Sequence, residues 1–312
     1  MNDLVQRAQQ RIAQGSQSFA CAARLLPRDK RASMYLLYSW CRHCDDEIDN
    51  EVLGFRHAAA PHAPSPAERY RILREKTLAA LDGKATEDEF LGLQTVVSRH
   101  GLPARYPLEL LDGMAMDVNG SKFENIEDTL RYCYHVAGVV GVMSAIILGA
   151  RDRPTLERAS DLGIGFQLTN IARDVVSDAQ RGRIYLPLEW LAKEGIRPEQ
   201  LTATETRGST IRVVERLLAL SDDYYRSASA GIARLPVRSA WAIAASRRVY
   251  RGIGKNVRSA GAASLDSRIS TSRAQKLTAG VLSAVDAVAL KGFVSPSKRP
   301  RVGLWTPEAL GA

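Results

Sequence analysis

The chain is poor in cysteine, histidine and aromatic residues: four cysteines, five histidines and 6% aromatics in 312 residues. Four cysteines (21, 41, 44 and 133) in a chain of this length do not make the dense disulfide framework of a small secreted domain. Cys41-x-x-Cys44 has the spacing of a redox or zinc pair. It lies inside a continuous helical pattern, however, with no second C-x-x-C and no βαβ setting, so both thiols read as buried and reduced. The close histidine pair, His57 and His62, falls in a proline-rich stretch and reads as solvated loop. No serine–histidine–acid set and no G-x-G-x-x-G nucleotide loop stands out. The longest apolar run, residues 136–150, is about fifteen residues with three glycines, too short for a membrane span. Met1 to Gln14 is charged throughout without an apolar h-region, so no secretory signal is expected and the protein is expected in the cytoplasm.

Apolar residues make up 45% and charged residues 25%, an ordinary soluble composition, and the abundance of Ala, Leu and Arg leans towards helix. Basic residues number 43 against 34 acidic, a net charge of +9, which points to an anionic partner: nucleic acid, an acidic membrane surface or a phosphorylated substrate. No useful length shows period-two alternation. The spacing predicts helices near 2–14, from Pro27 to about Gly54, then 67–82, 86–100, 105–118, 129–148, 209–234 and 238–259, with a last helix ending near Leu290. The expectation is one all-α domain over residues 1–290. Residues 291–312 form a basic tail rich in Pro and Ser, expected to stay disordered.

Two stretches carry the chemistry. In Gln167-Leu168-Thr169-Asn170-Ile171-Ala172-Arg173-Asp174-Val175-Val176-Ser177-Asp178, apolar residues recur at helical spacing, and Gln167, Asn170, Asp174 and Asp178 share one face. In Cys41-Arg42-His43-Cys44-Asp45-Asp46-Glu47-Ile48-Asp49, Asp45 and Asp49 stand four apart, with Arg42 on about the same face. Like charges four apart repel on a helix, and a cation between them relieves that. One such pair is commonly a solvated surface; two, each continuous with apolar helix, could face each other across a cavity. Oxygen-only ligands suit Mg²⁺, or Mn²⁺ in its place, which keeps waters and shares positions with substrate phosphates. The metal ligands read from the two motifs are Asp45, Asp49, Asn170, Asp174 and Asp178. Gly138 and Gly141 sit mid-helix, where each costs about 1 kcal/mol relative to Ala. Either close helix packing or room for a ligand, with local unwinding, would offset that. His135 reads as a core histidine.

Tyr38-x-x-Cys41-Arg42-x-x-Asp45-Asp46-x-x-Asp49 and Gln167-x-x-Asn170-x-x-Arg173-Asp174-x-x-x-Asp178, followed by Arg181-Gly182-Arg183-Ile184-Tyr185-Leu186-Pro187, resemble the two signatures of the squalene/phytoene synthase family, above all its bacterial phytoene synthase branch. Ser177 stands where the family commonly has an acidic residue. The resemblance covers about residues 15–285 and implies a helical bundle of the isoprenoid-synthase type around a central cavity. It implies Mg-dependent head-to-head condensation of two geranylgeranyl diphosphates through a cyclopropylcarbinyl diphosphate to phytoene, opening carotenoid biosynthesis, with no NADPH. Asp45, Asp49, Asp174 and Asp178 would be the catalytic carboxylates. Ser16, Ser18, Tyr38, Arg42, Val136, Gly138, Gln167, Asn170, Arg173, Tyr185, Tyr250 and Arg268 would bind substrate, although Ser16 or Ser18 serves equally as a helix cap. Leu110 to Asp117 resembles a further family segment, read as cavity wall or as support behind the site residues. Implied partners are prenyl diphosphates, with peripheral contact to the inner face of a membrane or to other enzymes of the same pathway.

Three alternatives compete. A C30 synthase acting on farnesyl diphosphate shares both motifs. A terpene cyclase or chain-elongating prenyltransferase usually shows D-D-x-x-D, and the flanking Tyr, Cys and Arg residues argue against it. A basic helical nucleic-acid binder accounts for the charge but not for two inward carboxylate pairs, so no nucleic-acid partner is expected.

Overall fold

The computed structural model describes residues 2–15, 22–49, 51–52, 55–56, 64–293 and 301–307. In chain order the elements are α1 (Asn2–Gly15), α2 (Arg28–Asp49), β1 (Glu51–Val52), β2 (Phe55–Arg56), α3 (Pro66–Leu81), α4 (Asp88–His100), α5 (Arg105–Val118) and α6 (Ile126–Ile147). They continue with α7 (Arg153–Gln180), α8 (Leu188–Lys193), α9 (Arg207–Ile232), α10 (Val237–Ala260) and α11 (Arg273–Phe293). Among the described residues the strands amount to one two-residue antiparallel hairpin, so the fold is all-α. Helix α2 stops at Asp49, short of the expected Gly54. Its last turns carry Asp45, Asp46, Glu47 and Asp49 and no basic residue, which opposes the helix dipole and favours an early end.

Local signals set the other boundaries. Ser65 caps α3 by accepting from the Glu68 amide at 3.2 Å, with Pro66 in the first turn. Asn125 and Asp128 form a reciprocal capping box at the start of α6. Asp152 caps α7. Helix α4 ends on Gly101 in the left-handed region, φ 58°.

Helix α7 is the axis of the structure, packed on α6, α9 and α10, while α2 packs on α1, α3 and α4. Helix α6 is long and apolar enough to cross a bilayer, but 61% of its most apolar window is buried inside the protein. It contains one π-helical turn, Tyr134–Gly138. A Cβ at Gly163 would overlap the Ala137 carbonyl oxygen, and one at Gly141 the Ala159 carbonyl oxygen. The glycines therefore bring the two helix backbones together, and the π turn sits at that crossing. Of the offsets anticipated for the mid-helix glycines, close helix packing occurs here, with a π turn beside it.

Beyond α11, residues 301–307 do not behave as a free tail. Arg301 makes a bidentate pair with the fully buried Asp161 of α7, at 2.5 and 2.9 Å, and donates to the Trp305 carbonyl at 3.2 Å. The Trp305 ring lies 5.8 Å from Tyr134, the first residue of the π turn. Residues 301–307 thus correct the expectation of a disordered tail for that part of it. An aromatic residue packs on the core, and an arginine neutralises a buried carboxylate that burial otherwise drives towards its protonated form. Arg301→Ala is expected to lower the unfolding free energy by about 3–5 kcal/mol, because it leaves Asp161 buried without that partner. Equilibrium urea denaturation checks this, and a loss below about 1 kcal/mol would show that the pair does not hold the segment.

Candidate functional site

The first acidic motif lies at the C-terminal end of α2. Arg42 pairs with Asp46, one turn on, at 2.9 Å, rather than with Asp45. Its buried Nε has no hydrogen-bond partner among the described residues. Asp45 is open to water but ringed by protein. That enclosure raises its carboxyl above the ordinary range, with Arg42 opposing and Asp49, Asp46 and Asp117 adding to the rise. Asp49 accepts a hydrogen bond from Arg183 at 2.5 Å.

The second motif lies on the last turns of α7. Asp174 accepts from Arg173 Nε at 2.8 Å and from Arg268 Nε at 3.2 Å, so Arg268 contacts the carboxylate set itself. Asn170 donates to Gln167 at 3.3 Å. The Asp178 carboxyl is pushed up to about 7 by burial and by Asp174, against the pull of Arg181, Arg183 and Arg173. Tyr250 stacks on Phe166 with ring centroids 4.0 Å apart, and burial pushes its phenol up against the pull of Arg173 and Arg268.

What joins the two motifs is a pair of groups that the sequence reading left out of the site. Gly182, at φ 75°, turns the chain after α7, and Arg183 reaches Asp49. Asp117, at the end of α5, accepts from Tyr185 at 2.8 Å and from Tyr132 at 3.0 Å, and those two rings stack at 4.6 Å. Burial raises the Asp117 carboxyl, with Arg183 and the two phenols opposing. A narrow cleft beside Asp178 is lined by Ile171, Val175, Arg183, Ile184, Tyr185 and Leu201, among others. The sequence held the signals: Arg183 stands inside the quoted second signature, and Asp117 ends the segment read as cavity wall.

The remaining expected positions divide. Tyr38 stands one turn before Arg42 on α2, half-buried and close enough to bear on the Arg42 charge. Val136 is half-buried on the π turn, on a partly open apolar strip with Ala137 and Val140. Gly138 is buried, and a Cβ there would press on Tyr134, Ser160 and Ile164, so its smallness serves helix packing rather than ligand room. Leu168, in the second motif, is wholly in the core. His135, expected in the core, is half-buried, its Nδ1 2.8 Å from the Glu109 carbonyl oxygen. Ser16 and Ser18 lie outside the described residues.

Among the described residues no three His, Cys, Asp or Glu side chains stand close enough to hold a cation; arginines stand on Asp49 and Asp174 instead. The donor chemistry still fits a divalent ion. The groups are hard oxygens, and the carboxyls of Asp45 and Asp178 are raised in part by neighbouring carboxylates, the mark of concentrated negative charge.

Residues 12–275 match the squalene/phytoene synthase family, and the chain belongs to it. It is 47% identical to the phytoene synthase of Pseudescherichia vulneris, over 97% of each chain. It is 48% identical to the 15-cis-phytoene synthase of Pantoea ananas, over 88% of this chain and 89% of that one. The crystal structure of a dehydrosqualene synthase with a ligand superposes with a TM-score of 0.82 at 26% identity, covering 92% of this chain and 98% of that one.

A carboxyl held at about 7 must lose its proton before it binds a cation. Mn²⁺ affinity, followed by electron paramagnetic resonance, is therefore expected to rise between about pH 6 and pH 8 and to rise less in Asp178→Asn. A pH-independent affinity would contradict the assignment of Asp178.

Proposed function

We propose that this chain joins two geranylgeranyl diphosphates head to head through a cyclopropylcarbinyl diphosphate to give phytoene. It is a prenyltransferase of the isoprenoid and carotenoid pathway. The relatives named phytoene synthase support the product. The observation that carries the chemistry is the meeting of two carboxylate helices at Arg183, beside an Arg42 Nε that lacks a partner.

In this reading Asp45, Asp49, Asn170, Asp174 and Asp178 hold Mg²⁺. When bound, the ion neutralises the departing diphosphate and so eases breaking of the allylic C–O bond. Arg42, freed from Asp46, and Arg173 and Arg268, freed from Asp174, turn to phosphate oxygens in charge-assisted hydrogen bonds. Tyr250 donates a neutral hydrogen bond to the same oxygens, Tyr185 borders the diphosphate with its hydroxyl hydrogen given to Asp117, and Gln167 orients Asn170. Asp117 holds Tyr185 and Tyr132 in place. The partly open apolar strip of Val136, Ala137 and Val140 receives hydrocarbon and keeps water from the carbocation. The reaction ends by proton loss and draws on no NADPH. The protein works in the cytoplasm, against the inner face of the membrane.

The test is hydrocarbon extraction and mass analysis after incubation with geranylgeranyl diphosphate and Mg²⁺, with and without NADPH. The expected result is a C40 product independent of NADPH and lost with EDTA. A C30 hydrocarbon from farnesyl diphosphate alone would move the substrate and keep the mechanism, and no hydrocarbon from either would overturn the reading. Asp49→Ala and Asp174→Ala are each expected to lower kcat by at least about a hundredfold with the helical circular dichroism unchanged. Near-full activity in either variant would contradict the metal assignment.

A further inference from the structure

Helix α11 buries one side against its neighbours and leaves the other bare. Leu277, Val281 and Val285 are 71%, 69% and 65% exposed and stand one turn apart, with Leu282, 44% exposed, beside them. These are the large apolar side chains of one continuous strip, on a helix whose inward residues Ala279, Ser283 and Ala287 are buried. Scattered exposed leucines are ordinary, but an aligned strip over three turns of one helix marks a contact surface.

Charge narrows the choice of what covers it. The one acidic residue of α11, Asp286, is turned inward and held by Arg248 at 2.6 and 2.7 Å. The basic residues of the helix are Arg273, Lys276 and Lys291, and Arg273 is exposed. The chain continues through Lys298, Arg299 and Arg301 without an acid before Glu308. An apolar strip with basic residues at its ends and no free carboxylate is the pattern of a helix lying in the interface of an anionic bilayer. A second copy of the chain would bring the same positive charge to the contact.

The position of the strip adds a reason. Arg268, five residues before α11 begins, touches Asp174 of the second acidic motif. Thr271, between them, is buried, and its methyl group would meet a Cβ added at Gly252 on α10. The start of α11 is therefore tied to the second acidic motif through Arg268 and to α10 through Thr271.

We infer that the exposed face of α11, Leu277, Val281, Leu282 and Val285, is the surface by which the protein lies on an anionic lipid bilayer. This inference rests on the proposed function for its purpose: an amphiphilic prenyl diphosphate enters from the lipid and an insoluble hydrocarbon returns to it. It assigns the contact to the helix, not to the basic tail.

The test is flotation of the full chain with vesicles of phosphatidylcholine containing about one quarter phosphatidylglycerol, wild type against the Leu277→Glu/Val281→Glu/Val285→Glu variant. All three side chains are exposed, so the variant is expected to keep its circular dichroism, its thermal midpoint and its turnover of substrate presented in detergent micelles. Its vesicle binding is expected to fall at least tenfold, and wild-type binding to weaken on pure phosphatidylcholine. Undiminished flotation of the variant, or no flotation of the wild type, would overturn the inference. So would a lipid-free dimer of the wild type that the variant converts to monomer, because the face would then belong to a second copy. Micelle turnover reports on the reading of the site and flotation on the surface, so the failure of one is distinguishable from the failure of the other.

Discussion

The contact between Arg183 and Asp49 is what makes two acidic helices one site. Helices α2 and α7 each carry carboxylates one turn apart, an arrangement that repels itself on either helix. Arg183 leaves the C-terminal end of α7 on a glycine turn and reaches the end of α2 at 2.5 Å. Asp117 adds a carboxylate from a third helix, α5, and is itself pinned by two stacked tyrosines. The guanidinium is surrounded by Asp49, Asp117 and Tyr185, which hold its proton firmly against the cost of burial. This charge balance gives the region a defined shape, and in the proposed function it leaves carboxyls such as Asp178 to take a cation.

The scaffold behind that contact is apolar and tight. Helix α7 meets α6 at glycines that admit the opposing backbone, and the π turn lies at the crossing. The segment 301–307 closes the far side of the same crossing, with Trp305 near Tyr134 and Arg301 on Asp161. The partly open apolar strip on α6 is therefore fixed from behind by packing and by a buried ion pair, which suits a wall that must keep its distance from the carboxylates. The proposed ligands Asp45, Asp49, Asn170, Asp174 and Asp178 all stand on helices rather than loops, which limits how far they must move to meet a cation.

Much of this was legible in the sequence. The helical placement of Asp45, Asp49, Asp174 and Asp178 was legible because helical spacing puts each pair on one face, and the all-α fold because no alternation competes with that period. The roles of Asp117 and Arg183 were not legible in the same way. Their meaning lies in partners far along the chain, Asp117 with Tyr185 and Arg183 with Asp49, 68 and 134 residues apart. Gly138 left two readings open because a mid-helix glycine looks the same whether it admits a ligand or a neighbouring side chain. The tail misled because composition reports the average of a segment, whereas Arg301 is ordered by one buried carboxylate 140 residues earlier. The bare strip on α11 shows the reverse: its apolar period is plain in sequence, but only the fold tells which apolar residues have no neighbour.

The central claim is that the two carboxylate helices act as one cation-binding unit around a diphosphate. It is tested most directly by counting the Mn²⁺ ions bound in the presence of inorganic diphosphate, by electron paramagnetic resonance, in wild type, Asp49→Ala and Asp174→Ala. The account predicts that either substitution weakens the whole set of ions together, since each helix supplies part of one cluster. Loss of ions from one variant with unchanged binding in the other would show two independent sites and contradict it.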